Sequence, residues 1–543
     1  MSAERSPPRF QTSYGPGVTV PGVEIAVREP RGLVERERPV ALRWLVLLTA
    51  VLVTGVALRV WVYRSALGVP DSDEAVVGLM ALHFLDGDWT TFFWGQSFGG
   101  SQEAILTAPL FWLFGPSWLA LRLVPIGLTA VAAVLVWRVG RRTIGEPAAA
   151  FAGCLLWIWP PFLIQRLTHQ YGFYAGGLVY SALLLLVGLR LAERPSRGRA
   201  GVFGLVLGLG LWESAQVLPI AVAVVAWTVW RQPAWLRQAW ITVLLAIVGA
   251  LPSIVWNARH DWGSFESTIA NTTSYAHRLR IFVSPLLGML LGVRTPYTQE
   301  RLLPAAVTLL AYAAIAALFV YGAYRTRQSE ASLLYVVAAV FPFVYALAPQ
   351  TLFSQEPRYL LVLSPVVGLL VAQLATTYWR GLVVLGAALS ISAATIDRMD
   401  DYVRTVPAQP PKAPRDLGPL VAALDERGVD RLYADFWLAY RLTFETDERI
   451  VAAQSKLERV GLVDGRMLAA RHPFIRHREY ERLVEAGRPG FVLFRASLED
   501  GADRSPGQAS EARGRQLGEL VATLRRNRYR RDDVGPFVLL TPP

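Results

Sequence analysis

The sequence predicts an α-helical polytopic membrane protein of about eleven transmembrane helices, with a soluble α/β domain at its C-terminal end. Three observations predict it. Of the 543 residues, 53% are hydrophobic and only 18% charged, which excludes an ordinary soluble core. The apolar residues fall into runs long enough to cross about 30 Å of hydrocarbon. Arg gathers just outside those runs, where it sets orientation, so the net charge of +12 reads as topology and not as nucleic-acid binding.

Residues 1–40, rich in Pro, Gly and charge and without the apolar centre of a signal peptide, read as a disordered cytoplasmic tail. A transmembrane domain follows over 41–400. Runs near 42–63, 117–138, 146–166, 171–191, 236–256, 302–324, 332–348, 359–378 and 381–397 each predict one span. The run 200–230 has Glu213 and Ser214 at its middle and Arg at both flanks, and predicts two short spans in a hairpin. With that hairpin, Arg36, Arg38, Arg43, Arg141, Arg142, Arg194 to Arg199, Arg231, Arg237, Arg325, Arg327 and Arg380 all fall on the cytoplasmic side. The loops 64–116, 167–170, 257–301 and 349–357, and everything after 398, then lie outside the cytoplasm. The apolar segment 281–293 is too short to span and reads as re-entrant or interfacial.

After residue 403, helix-like stretches (417–427, 478–487, 514–527) alternate with short β-rich runs (431–436, 491–495, 537–541), the pattern of an extracytoplasmic α/β domain over 403–543. None of its helices opens on a phosphate-binding glycine loop. The single cysteine, Cys154, sits in an apolar run, so neither an internal disulfide nor a Cys-based metal site is available.

The first external loop, 64–116, carries the chemistry-bearing residues. Asp71, Asp73 and Glu74 lie within four positions, and Glu103 follows after Asp86-Gly87-Asp88-Trp89 and Gly99-Gly100-Ser101-Gln102. A helix starting near Asp73, capped by Asp71 or Ser72, would favour carboxylates at its N-terminus. Capping needs one carboxylate, whereas deprotonating a hydroxyl or holding a cation needs an acid supported by others. Arg358 and Tyr359, in Glu356-Pro357-Arg358-Tyr359, read either as an interfacial anchor or as a phosphate site, the planar Arg fork matching phosphate oxygens. His169, Gln170 and Tyr171 occupy a very short external turn and read either as a plain turn or as cavity lining.

These motifs, in this order, resemble the GT-C superfamily of polyprenyl-phosphate-dependent glycosyltransferases, which includes protein O-mannosyltransferases and lipid A aminoarabinose transferases. The residues carrying the resemblance are Asp73-Glu74-Ala75, Asp86-Gly87-Asp88-Trp89, Glu103 and Glu356-Pro357-Arg358-Tyr359-Leu360-Leu361. Gly99-Gly100-Ser101-Gln102 departs from the Lys-Pro-rich segment of the aminoarabinose transferases. The resemblance implies a polyprenyl-phosphate sugar donor, a cell-envelope glycan, lipid or protein acceptor, and inverting transfer with Asp73 as general base. It sets Glu74 and Asp71 beside that base and Glu103 as a second acid. No cofactor is implied with certainty, and a divalent cation is left open. The competing class is a transporter or flippase of lipid-linked saccharides, for which the sequence lacks broken helices in matching halves.

Overall fold

The apolar runs become helices close to where the sequence puts them. The computed structural model describes residues 38–266, 273–348, 354–406, 413–464, 466–471, 475–499 and 508–543, so the predicted tail over 1–40 lies almost wholly outside the described residues. In chain order the helices are α1 (Arg38–Arg64), α2 (Ser72–Leu85), α3 (Gln102–Phe114), α4 (Trp118–Thr143), α5 (Ala148–Ile158), α6 (Pro161–Arg166), α7 (Tyr174–Glu193), α8 (Arg197–Glu213), α9 (Leu218–Arg231) and α10 (Ala239–Gly249). Leu251–Arg259, Ala305–Thr326, Ser332–Tyr345, Ser364–Ala372 and Tyr378–Thr405 follow.

Five helices among the described residues are long and apolar enough to cross a membrane, or six if the pair Ala215–Arg231 and Pro233–Gly249, bent by 115°, counts as one span. That is fewer than the expected eleven, for physical reasons. Proline splits the run 146–166 at Trp159-Pro160 into α5 and α6, and Pro252 opens a new helix after α10 inside 236–256. Ser332–Tyr345 and Arg358–Ala372 are apolar but short. The run 200–230 breaks at Glu213-Ser214 as expected, with α8 on one side and α9 on the other. Segment 281–293 is helical up to Leu290, with a π turn over Phe282–Leu286 that contains Pro285.

Small residues let helices approach without a hydrophobic drive between them. Gly204 and Gly208 of α8 face α10 so closely that an added Cβ would lie 2.2 Å from the Thr242 carbonyl oxygen and 2.1 Å from that of Ala246.

The C-terminal part carries a six-stranded sheet of order β3-β2-β1-β4-β6-β5, with β1 Arg431–Ala434, β2 Val451–Val463, β3 Arg466–Arg471, β4 Gly490–Phe494, β5 Arg530–Val534 and β6 Phe537–Thr541. β1 runs parallel to β2 and β4, and the remaining pairs are antiparallel. The connecting helix Phe436–Glu445 packs on α2, where Gly78 makes room for the Phe444 ring. Its Arg441, fully buried, donates to the carbonyls of Pro70 (3.3 Å), Pro414 (2.7 Å) and Arg415 (2.6 Å). The sheet domain therefore grips the start of α2, which is the element that positions the site.

Replacing Gly208 by Val should force α8 off α10, since the clash is with backbone that cannot rotate away. Thermal unfolding in detergent should start several degrees lower, and a Gly208→Val protein as heat-resistant as wild type would contradict this packing.

Candidate functional site

The acidic start of α2 holds three carboxylates with three different partners. Asp71 is the N-cap: its Oδ1 accepts the Glu74 backbone N–H at 3.1 Å. Its Oδ2 accepts the Tyr171 hydroxyl at 3.0 Å. Burial, with the Asp71 charge beside it, pushes Tyr171 well above the ordinary phenol range, so Tyr171 stays a neutral donor.

Glu74, one helical turn on, faces inward and is fully buried. Arg122 at the start of α4 grips it with two bonds of 2.6 Å from Nε and Nη2, and the Gln170 backbone N–H donates to it at 3.1 Å. His169 Nε2 lies 2.9 Å from the Leu67 carbonyl, which can only accept, so that nitrogen carries the proton and Nδ1 accepts from Arg122 at 3.2 Å. Burial and the Arg122 charge hold His169 below its ordinary pKa, consistent with a neutral ring. Burial alone would raise Glu74, but Arg122 overrides it and holds the carboxyl down to about 2.

Asp73 points elsewhere. Its Oδ1 accepts from Arg476 Nη2 of the sheet domain at 3.1 Å, its side chain is 30% exposed, and its Oδ2 accepts no hydrogen bond among the described residues.

Glu103, in the first turn of α3, does not join these three. It is buried, and its Oε1 accepts the Gly176 N–H at 2.8 Å, supplying the cap that Phe173 at the N-terminus of α7 cannot. Glu213 does the same for α3, accepting the Gln102 N–H at 3.3 Å. Burial pushes Glu103 up to about 8 despite its hydrogen bonds from the α7 start.

A basic and aromatic cluster lies next to Asp71. Arg166, at the end of α6, stacks its guanidinium 3.8 Å from the Tyr171 ring and 4.7 Å from Tyr174, and its Nε is buried without a hydrogen-bond partner among the described residues. Arg358 pairs with Glu356, and Tyr359 stacks on Tyr174 at 6.5 Å. Tyr297 lies within electrostatic reach of Glu356, Arg166, Arg358 and Asp71, and its backbone N–H donates to the Gln355 carbonyl at 2.7 Å. Two guanidinium groups beside tyrosine hydroxyls suit a phosphate, which takes several charge-assisted bonds.

The structure thus brings Asp71, Tyr171, Tyr359 and Arg358 into one neighbourhood, puts Asp73 on its sheet-domain side, and folds Glu74, His169 and Gln170 into the packing beneath. Sequence reasoning missed Arg122, Arg166 and Arg476. The first two carried a signal, because an Arg inside an apolar run is expensive and needs a partner. Arg476 carried none. Among the described residues, no group of three or more His, Cys, Asp or Glu is arranged to hold a metal ion.

No family model matches the sequence, and neither does any curated protein. Among solved structures, ArnT from Cupriavidus metallidurans in the apo state matches with a TM-score of 0.61 and 14% identity, over 92% of this chain and 98% of that one. ArnT bound to undecaprenyl phosphate matches with a TM-score of 0.57 and 15% identity, over 91% and 98%. The Archaeoglobus fulgidus oligosaccharyltransferase in complex with Zn and sulfate also matches, with a TM-score of 0.47 and 12% identity, over 84% of this chain and 68% of that one. The likeness to ArnT, end to end in both chains, is one of fold.

Glu74 is held by a depressed pKa, so its contribution is complete above the ordinary carboxylate value near 4.5 and is lost only as the pH falls toward 2. Replacing it by Gln leaves the Arg122 charge buried without a counter-ion, which costs about 3–5 kcal/mol. A Glu74→Gln protein should therefore unfold at clearly lower temperature at pH 7, while wild type keeps this contribution down to about pH 5 and loses it progressively below. An unchanged unfolding temperature for the variant would refute the pairing.

Proposed function

We propose that this protein is a membrane glycosyltransferase that moves a sugar from a polyprenyl-phosphate donor to a hydroxyl of a cell-envelope acceptor, with inversion, outside the cytoplasm. The observation that carries the reading is the Arg166–Arg358 pair among tyrosines, next to the carboxylates at the α2 N-terminus, in a fold shared with a protein that has been seen with undecaprenyl phosphate bound. A polyprenyl tail lies in the bilayer between spans while its phosphosugar reaches the polar end of the helices. Arg alternation supports a cytoplasmic N-terminus and an extracytoplasmic sheet domain.

Asp73 is the general base. Both Asp71 oxygens are engaged, one in capping and one by Tyr171, whereas Asp73 retains an oxygen without a hydrogen-bond partner among the described residues and partial access to solvent. That oxygen takes the proton of the acceptor hydroxyl as the hydroxyl oxygen bonds to the anomeric carbon, and the bond from that carbon to the lipid phosphate breaks on the opposite face. The phosphate leaves as an anion and needs positive charge rather than a proton, which Arg166 and Arg358 supply. Glu74 and Glu103 act one step back, by holding α2 and α7 in place. A second reading makes Asp71 the base, favoured by its Tyr171 bond and by its closeness to the arginine cluster.

Turnover with a radiolabelled polyprenyl-phosphate sugar distinguishes these roles. Asp73→Asn should lose about a hundred- to ten-thousand-fold in rate with donor binding intact. Arg358→Lys and Arg166→Lys should weaken donor binding, since Lys lacks the planar fork. A dead Asp71→Asn beside an active Asp73→Asn would move the base by two residues, and wild-type rates in all four would sink the transferase.

A further inference from the structure

We infer that Arg476, carried by the sheet domain, is a positioning residue for Asp73, so that the C-terminal domain completes the reaction centre instead of merely covering it. The inference rests on Asp73 being the base and deepens that reading. The segment after β3 lies directly against the loop that follows α2. Gly95, with φ of +66°, has no room for a side chain, because an added Cβ would meet the Ile475 carbonyl oxygen at 2.4 Å and the Arg476 Cα at 2.7 Å. The backbone of Arg476 is anchored within its own domain, its N–H donating to the Tyr440 hydroxyl at 2.9 Å. His477 stacks on Trp94 at 4.1 Å, which pins the next residue to the same loop.

From this anchored backbone the guanidinium reaches Asp73 Oδ1 at 3.1 Å. With the Gln96 amide turned so that its oxygen faces the arginine, that oxygen accepts from Nη1 at 2.6 Å and from Nη2 at 3.3 Å. The rings of Phe93 and Phe436 lie 5.0 Å and 5.4 Å from the guanidinium carbon, one from each side of the contact. The arginine is thus immobilised by groups from both domains, and its fork holds one carboxylate oxygen while Oδ2 stays available. A base held in one rotamer is worth more than a mobile one, because misplacement by about 1 Å costs on the order of a hundred-fold in rate. Nothing in a lid or a stabilising role requires a charged side chain aimed at this one carboxylate.

Steady-state kinetics of the full-length protein in nanodiscs test the inference. Arg476→Ala should lower kcat about 10- to 100-fold while KM for the lipid-linked sugar changes little. Millimolar guanidinium should restore part of that kcat, and Arg476→Lys should fall between the two. A structural role would show neither the split between kcat and KM nor the chemical rescue. If Arg476→Ala does not purify folded, Arg476→Lys with the same two readouts decides. Asp73→Asn dead with Arg476→Ala at full kcat overturns the positioning role alone, as does a loss that guanidinium leaves untouched. Asp73→Asn at wild-type rate removes the base, and this inference with it.

Discussion

The buried grip of Arg122 on Glu74 is the constraint on which the site depends. Two bonds of 2.6 Å from Arg122, with the Gln170 N–H as a further donor, tie the first turn of α2 to α4 and to the turn before α7, and His169 shares Arg122 with the carboxylate. Taking both charges out of water is costly, and that cost is offset by the two-bonded ion pair and the backbone N–H that completes it. The gain is geometric. Asp71, the cap of α2, and Asp73, just before Glu74 in its first turn, are fixed by it, one toward the Arg166–Arg358 cluster and the other toward the sheet domain. On its other side α2 is held by the helix Phe436–Glu445, whose Arg441 closes on three backbone carbonyls.

Much of this was legible before any coordinates, and the reasons for the rest are specific. The spans at 42–63 and 117–138 and the strand at 537–541 were readable from run length, Arg flanks and apolar continuity, and they are α1, α4 and β6. The cap was readable too, since Asp71 was one of two expected caps. The pairing of Glu74 was not, because its partners sit 48 and 95 residues away and only the misplaced charge of Arg122 in an apolar run hinted at it. The β2–β3 hairpin went unseen because Val451–Val463 mixes Gln, Lys, Glu and Arg with apolar residues and shows no steady alternation. The capping of α7 by Glu103 and of α3 by Glu213 is tertiary in the same way, and a local window would take either acid for a reacting group.

The carboxylates therefore divide by environment. Those that are fully enclosed hold helices together, and Asp73, with an oxygen that accepts no hydrogen bond among the described residues, is the one to which the proposal assigns proton transfer. The proposed transfer of a sugar from a lipid phosphate to an acceptor hydroxyl would use the charged, tyrosine-rich cluster beside Asp71.

Mass spectrometry of envelope glycans from a strain lacking this gene, complemented with either wild type or Asp73→Asn, tests that claim most directly. The account predicts that one sugar disappears on deletion, returns with wild type and stays absent with Asp73→Asn. Glycans of unchanged composition in the deletion strain, or full restoration by Asp73→Asn, would contradict it.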